Sequence, residues 1–216
     1  MTGDRDLLMA TNQVGPITST LAGSPATVIS FWPMPTLVIP ESRYLKSFVA
    51  ALREGFHRDT LRPETADSIE DVASDPEGFL QSQLHPPMHI TLPNGRLGRA
   101  VPSTSLWWVE GRDFLGWANV RHDLDERLTK VGGHVGYSVR PKAQGQGHAT
   151  ALLAASLLWI GENLPLKKVM LTVSPSNAAS IRVIEKNGGV FTAEVDHTWH
   201  PGETALQYWI DIPEKT

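Results

Sequence analysis

The chain has 216 residues, 41% of them hydrophobic, with 19 basic against 23 acidic side chains, a formal charge of −4 and no cysteine. The length corresponds to one domain plus an extension, and the lack of cysteine excludes thiol nucleophiles, disulfides, thiolate-bound zinc and iron–sulfur clusters. The mild acidity argues against a nucleic-acid binder and fits a cationic or amine substrate better, and no apolar run nears the ~18 residues of a membrane span.

Residues 1–35 are punctuated by Gly15-Pro16, Gly23-Ser24-Pro25 and Pro33-Met34-Pro35. This pattern defeats helix and long strand alike, so they read as an extension ahead of a domain at 36–216. Asp4, Arg5 and Asp6 precede an apolar patch too short for a secretory segment, which makes a cytoplasmic location the expectation. Residues 36–39 carry a short strand signal. From Ser42, the spacing of Tyr44, Leu45, Phe48, Val49 and Leu52 predicts an amphipathic helix ended by Gly55. Asp75-Pro76-Glu77 opens a second helix through Phe79, Leu80 and Leu84. Pro86, Pro87, Pro93 and Asn94-Gly95 then mark a loop.

Residues 106–109 and 114–121 read as a hairpin turning at Glu110-Gly111-Arg112-Asp113, in which alternation sends Trp107 and Trp108 to opposite faces. A third strand is predicted over 134–139, a helix over 149–162, a strand over 168–173 and a helix over 176–187 closed by Gly188-Gly189. A final hairpin, 190–197 with 205–212, turns at Pro201-Gly202. His85 and His89 are four apart, but Pro86 and Pro87 forbid the helix that would align them, so no metal pair is expected.

The informative segment is Val135-Gly136-Tyr137-Ser138-Val139-Arg140-Pro141-Lys142-Ala143-Gln144-Gly145-Gln146-Gly147-His148-Ala149, a strand, a glycine-punctuated turn and a helix start. Such a turn aims unpaired backbone N–H groups at one point, where a phosphate binds. A Walker loop is absent, and Gly145-x-Gly147 is followed by Thr150 rather than the third glycine of a dinucleotide fingerprint.

Gln144, Gly147 and Ala149 match the Gln/Arg-x-x-Gly-x-Gly/Ala signature of the GNAT family of N-acetyltransferases, and the segment from Asn177 and Ser180 to Gly189 resembles the family's next motif. Gly132 to Tyr137 further resembles an uncharacterised bacterial branch of predicted acetyltransferases. The resemblance covers about residues 36–212. It implies an α/β fold, a mixed and mostly antiparallel central sheet with helices on both faces, whose two central strands are parallel and splayed to hold coenzyme A. It also implies acetyl-CoA as co-substrate, no metal, and an amine acceptor, read here as a small molecule. It leaves a homodimer open. By position, Gln144, Gly145, Gln146, Gly147, His148 and Ala149 would take the pyrophosphate and Val139 the acyl end. Asn177 and Ser180 would lie beside the pantetheine arm, although Asn177 is also a good helix N-cap.

A lysine-like amine with pKa near 10.4 is neutral only about 4 times in 10,000 at pH 7, so a positioned base is useful. The family often places a Glu on the strand leading into Val139. The matching residue is His134, with Glu110 and His122 as rivals. The Tyr that many relatives use to protonate the leaving thiolate is replaced by Ile184. That departure keeps a non-catalytic acyl-CoA-binding module open beside the enzyme, and acylation of a protein amine is a further alternative.

Overall fold

The computed structural model describes residues 34–59, 63–91, 95–198 and 200–213, so the predicted extension lies outside the described residues except at 34 and 35. In chain order the elements are β1 (Thr36–Val38), α1 (Leu45–Arg53), α2 (Ala66–Ser74), α3 (Pro76–Leu84), β2 (His89–Thr91), β3 (Leu97–Arg99), β4 (Ser103–Glu110) and β5 (Asp113–Arg121). They continue with β6 (Val135–Val139), α4 (His148–Asn163), β7 (Lys168–Val173), α5 (Ala178–Lys186), β8 (Val190–Asp196) and β9 (Thr204–Asp211).

Strand alternation divides the interior into two cores. Trp107, Val109 and Phe114 pack with Phe48, Phe56, Val72 and Leu80 from the α1–α3 side, and the Phe48 and Trp107 rings stack at 4.9 Å. Leu106, Trp108, Ala118 and Val120 face the other way, against Leu152, Leu153, Leu157 and Ile160 of α4. The predicted opposition of Trp107 and Trp108 is therefore found, and helices cover both faces.

The strands form an antiparallel sheet in the order β1-β4-β5-β6 and a second in the order β7-β9-β8. The expected mostly antiparallel architecture is present. The expected parallel central pair is not a ladder, because β6 and β7 share no strand pairing among the described residues and the two sheets meet at a single bridge between Gly133 and Leu171. His134 explains the break: its side chain takes the Met170 N–H at 2.9 Å, which a neighbouring carbonyl would otherwise accept. Gly133 is required at this junction. Its φ is +66°, and a Cβ there would lie 2.3 Å from the Met170 carbonyl oxygen.

Helix α2 and the two strands of the β2–β3 hairpin have no counterpart among the predicted elements. Helix α2 starts on a capping box in which Thr65 accepts from the Ser68 amide at 3.1 Å and Ser68 accepts from the Thr65 amide at 2.9 Å. Asp75 ends that helix and caps α3, accepting from Gly78 at 2.9 Å. The predicted loop holds the β2–β3 hairpin, whose residues are mostly exposed and so leave no two-residue hydrophobic period to read. Among the described residues no helix is long and apolar enough to cross a membrane, and no group of three or more His, Asp or Glu could hold a metal ion.

Candidate active site

The turn between β6 and α4 is anchored before it begins. The β4–β5 register pairs Trp108 with Gly116 and then Val109 with Phe114, a bulge that skips Leu115. The Leu115 carbonyl, facing β6, accepts from the Arg140 amide at 2.8 Å. The Arg140 guanidinium grips Glu54, at the end of α1, through two bonds of 2.8 and 2.7 Å, and also reaches Ser47 and the Phe114 carbonyl. Lys142 joins Glu54 at 2.8 Å, and these two cations hold the Glu54 carboxyl down at about 2. Arg140 and Lys142 are thus occupied by Glu54.

Past this anchor the Gln144 side-chain amide donates to the Val139 carbonyl at 3.0 Å, and the Gln146 amide donates to Lys142 at 2.8 Å. Gly145 and Gly147 have φ of 74° and 86°, and nothing lies within 4 Å of a Cβ built on either. The backbone conformation, not lack of space, selects glycine there. Gly147 is the N-cap of α4 and offers no side chain to the N–H groups of the first turn, which also carries no acidic residue. The first backbone bond runs from Ala151 to Gly147 at 3.1 Å. His148 is held at Nδ1 by the Trp108 indole N–H at 3.2 Å, and Ala149 packs against the α4-side core. The result is an uncapped, acid-free helix start that suits an anion.

A cavity of about 720 Å³ opens in the gap between β6 and β7. Gly136 and Tyr137 both line it, as do Trp117 and Asn119 of β5, so it reaches both faces of β6. Asn177, the N-cap of α5, and Ser180 and Ile184 within it also line the cavity, and the hydroxyl of Tyr137 donates to the Ser180 carbonyl at 3.4 Å. Asn177 does cap α5, accepting from Ser180 at 3.0 Å, while also lining the cavity. Ile184 is buried. The residues of the Gln144–Ala149 turn are not in this lining.

The three candidate bases separate. Glu110 ends β4 opposite Asp113, away from the cavity lining. His134 is also outside the lining and buried, and burial pushes its pKa down. Because its Nδ1 accepts from Met170, the proton of the neutral ring sits on Nε2, and neither nitrogen is free to take another. His122 lines the cavity, with its Nε2 2.8 Å from the Thr104 hydroxyl. Burial lowers its pKa as well, which keeps the ring neutral near pH 7. Tyr137, Asn119 and Arg99 of the cavity were missed in the sequence, where no local motif marks them.

The comparisons agree with this architecture. The model of the acetyltransferase (GNAT) domain matches residues 58–190. Among solved structures, Mycobacterium smegmatis RimJ in complex with CoA-disulfide superposes with a TM-score of 0.58 at 16% identity, over 83% of this chain and 88% of that one. The ribosomal-protein-S5-alanine acetyltransferase of Vibrio fischeri gives 0.57 at 14%, over 84% and 95% of the two chains. Vibrio cholerae spermidine N-acetyltransferase with CoA and spermine gives 0.54 at 14%, over 82% and 95%. No curated protein matches the sequence itself. With more than half of its length matched by the family model, the chain belongs to the GNAT acetyltransferase family.

Proposed function

We propose that the protein transfers the acetyl group of acetyl-CoA to an amine of a small-molecule acceptor, by direct attack in a ternary complex. The observation that carries this reading is the cavity in the β6–β7 gap, which brings Asn177 and Ser180 on one wall together with His122. The acid-free start of α4 at Gly147 fits the pyrophosphate of coenzyme A, with Gln144 bracing Val139. Acetyl-CoA supplies a thioester, whose carbonyl carbon accepts the amine and whose thiolate leaves. His122 takes the proton from the attacking amine, and the strand edge near Val139 orients the acyl end. Ile184 leaves thiolate protonation to solvent.

The experiment measures acetyl-CoA binding by thermal shift and thiol release with a panel of amines. Binding together with amine-dependent release supports the enzyme. Binding without release from any amine supports the non-catalytic module that Ile184 keeps open.

A further inference from the structure

We infer that the acceptor amine carries a carboxylate, and that Arg99 holds it. This rests on the acetyltransferase reading for the identity of the site, and it departs from the cationic acceptor that the overall charge favours. The charged side chains lining the cavity are Arg58, Arg99, Arg121 and Arg127 against Asp59 and Glu203, four cations against two anions. The carboxylates that pair with two of these arginines, Glu64 with Arg58 and Asp125 with Arg127, stand outside the lining. Arg121 donates from one nitrogen to the carbonyls of Gly132 and Gly133.

Arg99 differs from all of these. It sits on β3 of the hairpin at the cavity mouth, and its guanidinium has no ion pair or hydrogen bond among the described residues. A planar guanidinium matches a carboxylate with two parallel N–H bonds. A polyamine would need the reverse: carboxylates to hold its second ammonium. The two in the lining are already engaged, Asp59 with a partner of its own and Glu203 within electrostatic reach of His197. An α-amine beside a carboxylate, whether on a free amino acid or on an acidic residue at a peptide N-terminus, has the complementary pattern.

The test measures binding by calorimetry, with and without coenzyme A, of L-phenylalanine against L-phenylalaninamide and of Asp-Phe-amide against Asn-Phe-amide, with spermidine as competitor. The free acid is expected to bind about tenfold tighter than its amide if the α-carboxylate is read, and the Asp peptide about tenfold tighter than the Asn peptide if an acidic side chain is read. Turnover is the stricter readout, because the α-amine of an amide is less basic and its bias favours the uncharged member of each pair. Arg99→Gln should collapse the preferred ratio towards one, and Arg112→Gln, exposed on the β4–β5 turn, should keep it. Arg99 is itself exposed, so the substitution spares the fold. Equal binding of acid and amide in both pairs, displacement by spermidine, or an unchanged ratio in Arg99→Gln would overturn the inference. Loss of coenzyme A binding with the acid preference intact would instead overturn the acetyltransferase reading alone.

Discussion

His134 holds Met170 by both of its backbone groups: the His134 amide donates to the Met170 carbonyl at 2.7 Å, and the Met170 amide donates to His134 Nδ1 at 2.9 Å. Together with the Gly133–Leu171 bridge, this pair joins two sheets that share no ladder. Beyond it β6 and β7 share no strand pairing among the described residues, and residues of both line the cavity.

This clasp predicts that His134→Ala destabilises the fold by about 3 kcal/mol, because a buried N–H loses its partner and a void remains. His134→Asn, whose Oδ1 can stand where Nδ1 does, should recover much of it. The pH dependence has a defined sign. Burial holds the native pKa below the ordinary 6.5, so the stabilisation is present above that value and is lost as pH falls through the native pKa. Urea titrations between pH 7 and 5 check this, with His134→Asn showing a shallower loss than the wild type.

The Gln144 turn was legible because its requirements are local: positive φ at Gly145 and Gly147 and an uncapped helix start are written in adjacent residues. Asn177 was legible for the same reason, as a cap three residues before its partner. The partner of His134 was not legible because Met170 is 36 residues away, and position on a strand says nothing of what the ring meets across a junction. The cavity lining was unreadable in the same sense. It gathers residues of β2, β3, β4, β5, β6, β7, β9 and α5, and no single segment announces a wall assembled from eight.

Gly147→Glu should leave most of the stability and remove acetyl-CoA binding. A non-glycine residue at φ of 86° costs about 1–2 kcal/mol, and nothing lies within 4 Å of its Cβ to add a clash. The new carboxylate would repel phosphate at the start of α4. Gly147→Asn tolerates the same backbone and adds no charge, so it should retain binding. Thermal shift with acetyl-CoA separates the two variants.

Glu54 makes a prediction at acid pH. Arg140 first and Lys142 second hold its carboxyl at about 2, against an ordinary 4.5. A depressed pKa gives stabilisation that is present above 4.5 and lost as pH falls towards 2. Glu54→Gln should therefore be less stable than the wild type at neutral pH, and the gap should close on acidification. It should also loosen Arg140 and the turn that follows, and so weaken the acetyl-CoA binding proposed at the start of α4. Circular dichroism melts across the acid range, paired with binding at pH 7, test both parts.

The pH profile of turnover distinguishes the bases. A neutral His122 accepts a proton, so kcat/KM should be high above its native pKa and fall as pH drops through it. Burial places that fall below the ordinary histidine value of 6.5. His122→Gln should lower kcat roughly 100-fold at pH 7 and erase the acid limb, with acetyl-CoA affinity unchanged. Thr104→Val removes the hydroxyl that lies 2.8 Å from Nε2. It should shift the limb and lower kcat by a smaller factor, because the ring then loses its orientation but keeps its chemistry. His134→Asn and Glu110→Gln should retain the limb at an unchanged pKa. A limb that survives His122→Gln would move the proton transfer to water, and one that vanishes with Glu110→Gln would return the role to that carboxylate.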